Sequence, residues 1–194
     1  FPSRFINNIY LDTYSYDNYN DNINGEQVRK KIRIRWYGDL FGKLNPSLEI
    51  KERKGSLIKK TVQDFPSFHL SKNKSLNELR KISSFYFKTT NQAPSIINRY
   101  RREYFISKDK RFRITLDDHQ MISNPKNTNL IKNLNPIHEK VIVEIKFSPE
   151  FFKYVNDLTN DLNLRLAKNS KYLNSVLALS QYGYTHTLPI QNNF

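Results

Sequence analysis

The sequence predicts an α+β fold, built from antiparallel β-hairpins with a few flanking helices. Three observations carry this. Segments with the two-residue period of a strand recur along the chain; turn-forming residues separate them; and some segments switch to helical spacing behind a start signal. The 194 residues suit one domain with a sizeable core. A hydrophobic content of 38% with 13% aromatics supports folding over disorder. One domain over residues 1–180 and an irregular tail over 181–194 are expected.

Taken in order, Phe5–Thr13 (FINNIYLDT) reads as a short strand. Tyr14–Gly25, rich in Tyr, Asn and Asp, reads as a loop. Val28–Tyr37 alternates strictly, with Ile32, Ile34 and Trp36 on one side and Lys31, Arg33, Arg35 and Tyr37 on the other. Gly38–Pro46 is a turn, Ser47–Lys54 a second strand, and Gly55 breaks before Ser56–Val62 continues the meander. Ser75-Leu76-Asn77-Glu78 is a capping box opening a helix that runs through Phe85. Strands are expected over Ile96–Ser107, Lys110–Asp117 and Lys140–Phe147. Ser148-Pro149-Glu150 starts another helix, with Phe151, Val155, Leu158 and Leu162 inward. A last helical segment is expected over Ser170–Leu179.

Lys and Arg total 32 against 18 acids, a formal charge of +14, which points to a polyanionic partner. Cysteine is absent, which excludes disulfides, zinc–thiolate sites and thiol catalysis. No apolar run approaches a membrane span, and no P-loop, GxGxxG or nucleophile elbow is present. His69, His119, His138 and His186 lack metal-ligand spacing and suit surface or core roles. The cytoplasm is the expected compartment.

The basic charge is organised. The strands over residues 28–37, 47–54, 110–117 and 140–147 each keep one apolar and one charged face. The charged faces hold Lys31, Arg33, Arg35, Lys51, Arg53, Arg111, Arg113 and Lys146, against only Glu49 and Glu144. One wet face on an antiparallel sheet explains the alternation. It explains the shared sign less well, because like charges on neighbouring strands repel. Closed into a barrel, these faces would point inward, where an anion would stabilise them strongly. Arginine suits phosphate because its fork donates two parallel hydrogen bonds. Glu49 and Glu144 recur in Leu48-Glu49-Ile50-Lys51 and Val143-Glu144-Ile145-Lys146. Two readings stand: salt-bridged pairs, or carboxylates holding Mg²⁺ or Mn²⁺ against phosphate oxygens. Nucleic acid is disfavoured, because a single-strand binder interleaves stacking aromatics and these charged faces carry essentially Tyr37 alone.

In order, IYLDT, VRKKIRIRWYG, LEIKERK, NRYRREYF, FRITLDD, VEIKF and KNSKY resemble the VTC domain. That domain is a polyphosphate polymerase domain of the triphosphate tunnel metalloenzymes, relatives of the CYTH proteins. The resemblance spans nearly the whole chain. It implies an antiparallel β-barrel tunnel flanked by a few helices, binding ATP and polyphosphate and transferring the γ-phosphate to a polyphosphate chain with Mg²⁺ or Mn²⁺. Arg33 and Arg35 match the family's RxR strand, Lys51 its LEIK lysine, and Lys59 or Lys60 a further tunnel lysine. Arg102 matches the arginine of its Y-x-R motif and Arg113 the one before its TxD strand. Glu144 resembles the metal-ligating glutamate, and Lys168, Ser170 and Lys171 a phosphate site at the tunnel mouth. The resemblance thus implies catalytic roles for Arg33, Arg35, Lys51, Arg102 and Arg113. The family opens with an acid-rich ExExK-type strand ahead of IYxDT that has no counterpart here, so the expectation is a tunnel lacking its first strand or open along one seam. A polyphosphate or inositol polyphosphate binding module without chemistry, and a triphosphatase, are the alternatives.

Overall fold

The computed structural model describes residues 2–71, 92–125, 134–137, 140–161, 164 and 166–182. The expected capped helix from Ser75, Leu162 and the tail beyond Tyr182 lie outside the described residues. The strands are β1 (Arg4–Asp12), β2 (Val28–Tyr37), β3 (Gly42–Leu44), β4 (Ser47–Lys54), β5 (Leu57–Asp64), β6 (Phe68–Leu70), β7 (Ala93–Ile106), β8 (Arg113–Ser123), β9 (Asn135–Pro136) and β10 (Ile142–Lys146). Helix α1 spans Asp17–Asn24. A 3₁₀ turn, Pro149–Phe151, leads into α2 (Phe152–Asp161), and α3 spans Lys171–Gln181. Among the described residues no helix is long and apolar enough to cross a membrane.

All the strand pairings are antiparallel, in the order β10-β8-β7-β1-β2-β4-β5, with β9 beside β8 and a separate β3–β6 pair. The β2–β4 register sets Arg33 opposite Glu49 and Lys31 opposite Lys51. Laid flat, the path from β5 to β10 would measure about 29 Å at ~4.8 Å per strand. Residues of both strands nevertheless line one cavity. The sheet is therefore curled, with a convex and a concave face.

The expected barrel tunnel is not closed, and the sheet is open between its end strands. β5 and β10 form the two edges of the sheet and are not hydrogen-bonded to each other. Helices take the place of closure. On the convex face, Ile9, Leu11, Ile32, Ile34, Trp36 and Leu48 pack against Leu44, Phe65, Phe68 and Leu70 around the β3–β6 pair. On the concave face, Tyr10, Ile96 and Ile122 pack against Tyr19 of α1 and Tyr172, Val176 and Leu179 of α3. Both inward-facing strand sets are thus buried, but the helices cover only one end of the trough. The apolar side at β10 is less covered: Val143 is 39% exposed, and Val141, just before the strand, 55%.

Two other expectations change. Tyr14–Gly25 contains a helix, although its sequence DNYNDNIN is poor in helix formers. The reason is tertiary. Oδ1 of Asp12 accepts from the Asn18 amide and Oδ2 from the Tyr19 amide, at 2.9 and 3.0 Å, satisfying N–H groups of the first turn. Gly25 ends the helix at φ 74°, a left-handed conformation glycine adopts without a Cβ penalty. In β8, the register against β7 slips between Arg99 and Arg101, with His119 at φ 47°. This bulge reverses the alternation, so that Asp117, Thr115 and Arg113 face the same side as Gln120 and Ile122.

Candidate functional site

The open end of the concave face is a cavity of about 560 Å³. The same-face row of β2 supplies Arg29, Lys31, Arg33 and Arg35; β4 adds Glu49, Lys51 and Arg53, and β5 adds Lys60. From the other side, β7 brings Tyr100 and Arg102 and β10 brings Glu144 and Lys146. The start of α3 closes the floor with Asn169, Ser170, Lys171 and Tyr172.

Most residues singled out in the sequence meet here, and four do not. Lys59 projects from the opposite face of β5, where it pairs across the ladder with Glu52. Of the two lysines, it is Lys60 that enters the trough. Arg111 sits in the turn before β8, 3.5 Å from Asp109 and 5.0 Å over the Phe151 ring. Arg113 lies opposite Lys146 in register, exposed and outside the cavity lining. Lys168 is exposed and also outside it.

Glu49 is the hub on the β4 side. Its Oε2 accepts from Arg33 Nε at 2.9 Å and Nη2 at 2.6 Å. Its Oε1 lies 3.6 Å from Arg35 and 3.3 Å from Lys60. Burial alone would raise its pKa, but Arg33 and Arg35 outweigh burial and hold it below the usual carboxylate range. Arg33 is correspondingly fixed as a cation: burial opposes its charge, while Tyr10 and Glu49 favour it. Arg35 is buried, and its Nε donates to Asn8 Oδ1 at 2.8 Å. A polar chain continues through Asn98 to Ser175 of α3. Arg35 also donates to the Tyr100 hydroxyl at 3.3 Å. The guanidinium is held by neutral acceptors and a more distant carboxylate, and Arg35 lines the cavity.

The second hub is Asp117, fully buried and not singled out by the sequence reading. Arg102 grips it in a fork, Nε–Oδ1 2.5 Å and Nη2–Oδ2 2.7 Å, and Lys171 Nζ lies 2.6 Å from Oδ2. Burial would raise its pKa; the Arg102 hydrogen bond and the Lys171 charge lower it further than burial raises it. Glu144 is looser, 3.7 Å from Arg102 and 3.4 Å from Lys146, with 44% of its side chain exposed. Thr115 stands opposite Glu144 in register, and its buried hydroxyl has no hydrogen-bond partner among the described residues.

Sequence reasoning also missed Tyr10, Tyr100 and Tyr172. Tyr100 is 1% exposed, and burial raises its hydroxyl pKa to about 12, with Arg35 and Arg102 opposing. Tyr172 stacks on Tyr10 at 4.8 Å and donates a short hydrogen bond to Asp12. Parity along β1 puts Asn8, Tyr10 and Asp12 on the face that β2 fills with Arg35 and Arg33, but parity alone does not mark that face as the inward one.

Fold and site together define an α+β domain with a cationic trough, formed by a curled antiparallel sheet and floored by a helix N-terminus. More specifically, the chain matches the VTC domain over residues 3–180 and belongs to that family, and membership suggests a polyphosphate-related function. Comparison with curated proteins gives no match.

Proposed function

We propose that the trough binds a linear phosphate polyanion with ATP as phosphoryl donor and extends the chain by one phosphate. The observation that carries this is the convergence of Arg33, Arg35, Lys51, Lys60, Arg102, Lys146 and Lys171 on one cavity. Arg33, Arg35 and Arg102 orient the triphosphate, and Lys51, Arg53 and Lys31 continue the positive track. A terminal oxygen of the chain attacks the γ-phosphorus in line, the bond to the β–γ bridging oxygen breaks, and ADP leaves. Such transfer depends mainly on positioning and charge stabilisation, which a cationic cage supplies.

The donor set bears on a divalent metal in two ways. Among the described residues, no group of three His, Cys, Asp or Glu is arranged to hold one. A Mg²⁺ or Mn²⁺ ion commonly needs only one or two carboxylates plus phosphate oxygens. Glu144, partly exposed beside the orphaned Thr115 hydroxyl, suits that role; Glu49, taken up by three cations, suits neutralising them. When bound, the metal would neutralise charge on the phosphate oxygens.

The same Glu49 arrangement favours a second reading, a binding module that holds polyphosphate without turnover. ATP consumption and chain extension by Arg35→Ala and Glu144→Gln separate the two. Transfer predicts a loss of roughly a hundredfold for Arg35→Ala. It predicts no turnover but retained tripolyphosphate binding for Glu144→Gln. Unchanged turnover in Glu144→Gln would refute metal-assisted transfer at this position, whereas tight binding with no ATP consumption by the wild type would establish the binding module.

A further inference from the structure

The lysines around the trough are not equivalent. Lys60, Lys146 and Lys171 each face a carboxylate, at 3.3, 3.4 and 2.6 Å. Lys31, like Lys51 across the ladder, has none within ion-pair distance among the described residues. Its Nζ donates instead to the Ser170 hydroxyl at 2.9 Å, a neutral acceptor.

Most groups around Lys31 are positive or neutral, with Glu49 of β4 and Glu144 of β10 as the acids of the same cavity. On β2, Arg29 and Arg33 flank it; across the ladder on β4 stands Lys51. β5 offers Lys60, β1 the Tyr10 hydroxyl, and α1 the Asn22 amide. On α3, Ser170 is the N-cap, Lys171 follows, and the positive end of the helix dipole points the same way. The carboxylate of Glu49 is already shared among Arg33, Arg35 and Lys60. Burial, then the charges of Lys51, Arg29 and Arg33, lower the Lys31 pKa to about 8. Near neutral pH a far larger share of molecules then carries the neutral amine than for an ordinary lysine.

We propose that Lys31 is an acylation site, which takes acyl groups from small acyl phosphates drawn into the cationic trough. The neutral amine attacks the carbonyl carbon and a C–N bond forms. The C–O bond to phosphorus-bearing oxygen breaks, inorganic phosphate leaves with the electron pair, and the surplus amine proton passes to water. The amide keeps one N–H for Ser170 but removes a cation from the track. The inference needs only that the trough admits a phosphate monoester-sized anion; it does not need phosphoryl transfer.

The test incubates the full chain with acetyl phosphate and follows each lysine by peptide mass spectrometry. Lys31 is expected to react at least tenfold faster than the exposed Lys43 and Lys108, with a rate that climbs with pH and levels above about 8. Lys31→Arg removes that fast site and keeps a cation in the trough. Labelling of Lys31 no faster than Lys43 overturns the proposal. So does a preference for Lys31 with the uncharged p-nitrophenyl acetate but not with acetyl phosphate, because the trough would then play no part. Tripolyphosphate is expected to protect Lys31 selectively; fast labelling without such protection supports the acylation site and counts against the polyphosphate reading alone.

Discussion

The two ends of the concave face come from the same strands and solve opposite problems. At one end, Tyr10 and Ile96 meet Tyr19, Tyr172, Val176 and Leu179, and apolar and aromatic surface is hidden from water. At the other, Arg33, Arg35, Lys51, Lys60, Arg102 and Lys146 surround a cavity with Glu49, Asp117 and Glu144 as their nearest acids. The first end contributes stability through burial. The second holds like charges together and is repaid only in part by its carboxylates. One end therefore carries the fold and the other waits for an anion.

The comparison breaks hardest where one residue serves the packed end. Tyr172→Ala removes the ring stacked on Tyr10 and the donor to buried Asp12. A loss of about 4 kcal/mol is expected in urea unfolding. A loss below 1 kcal/mol would mean that α3 does not carry the fold.

Asp117→Asn comes next and sharpens the division from the charged side. It leaves Arg102 and Lys171 without their buried counter-ion, and about 3 kcal/mol of stability should go. The acid dependence follows from the lowered pKa of this carboxyl. Its contribution is complete above the unfolded value of ~3.9 and disappears as pH falls through the lower folded value. Wild type should therefore lose stability relative to Asp117→Asn below about pH 4. Parallel pH–stability curves for the two proteins would contradict the assignment.

The mildest test leaves the sequence intact. At a hundred times its dissociation constant, tripolyphosphate should add about 2.7 kcal/mol and raise the melting temperature. The gain should shrink as salt rises, because the exposed part of the trough is screened. No shift at low salt would remove the idea that the charged end is poised for an anion.

How much of this was legible beforehand depended on whether one face of a strand was polar. β2 and β4 were read to their ends, Val28–Tyr37 and Ser47–Lys54, because charge alternates with Ile32, Ile34, Trp36 and Leu48. β1 shows no such contrast. Asn7 and Asn8 are both fully buried, on opposite faces, so its inward row of Asn8 and Tyr10 could not be separated from its core row. Helix α1 was hidden for another reason: its stability is lent by Asp12 from outside the segment, beyond the reach of local propensity. The bulge at His119 needs a non-glycine residue at positive φ, and nothing in FRITLDDHQ announces it. Without that bulge Asp117 reads as one acid of a pair, not as the buried partner of Arg102. The curvature of the sheet was expected from its charge and from the family resemblance, and neither could tell a sealed tube from a trough held bent by helices.

The hydrogen bond from Tyr172 to Asp12 links positions 160 residues apart. Asp12 is made 160 residues before Tyr172, so its carboxylate lacks this donor until that later residue has followed. Joining such distant points carries an entropic penalty that short-range hairpins such as β4–β5 avoid. The hairpins can therefore be native while the floor of the trough is still absent, and a ribosome-bound chain would display its arginines before it could arrange them.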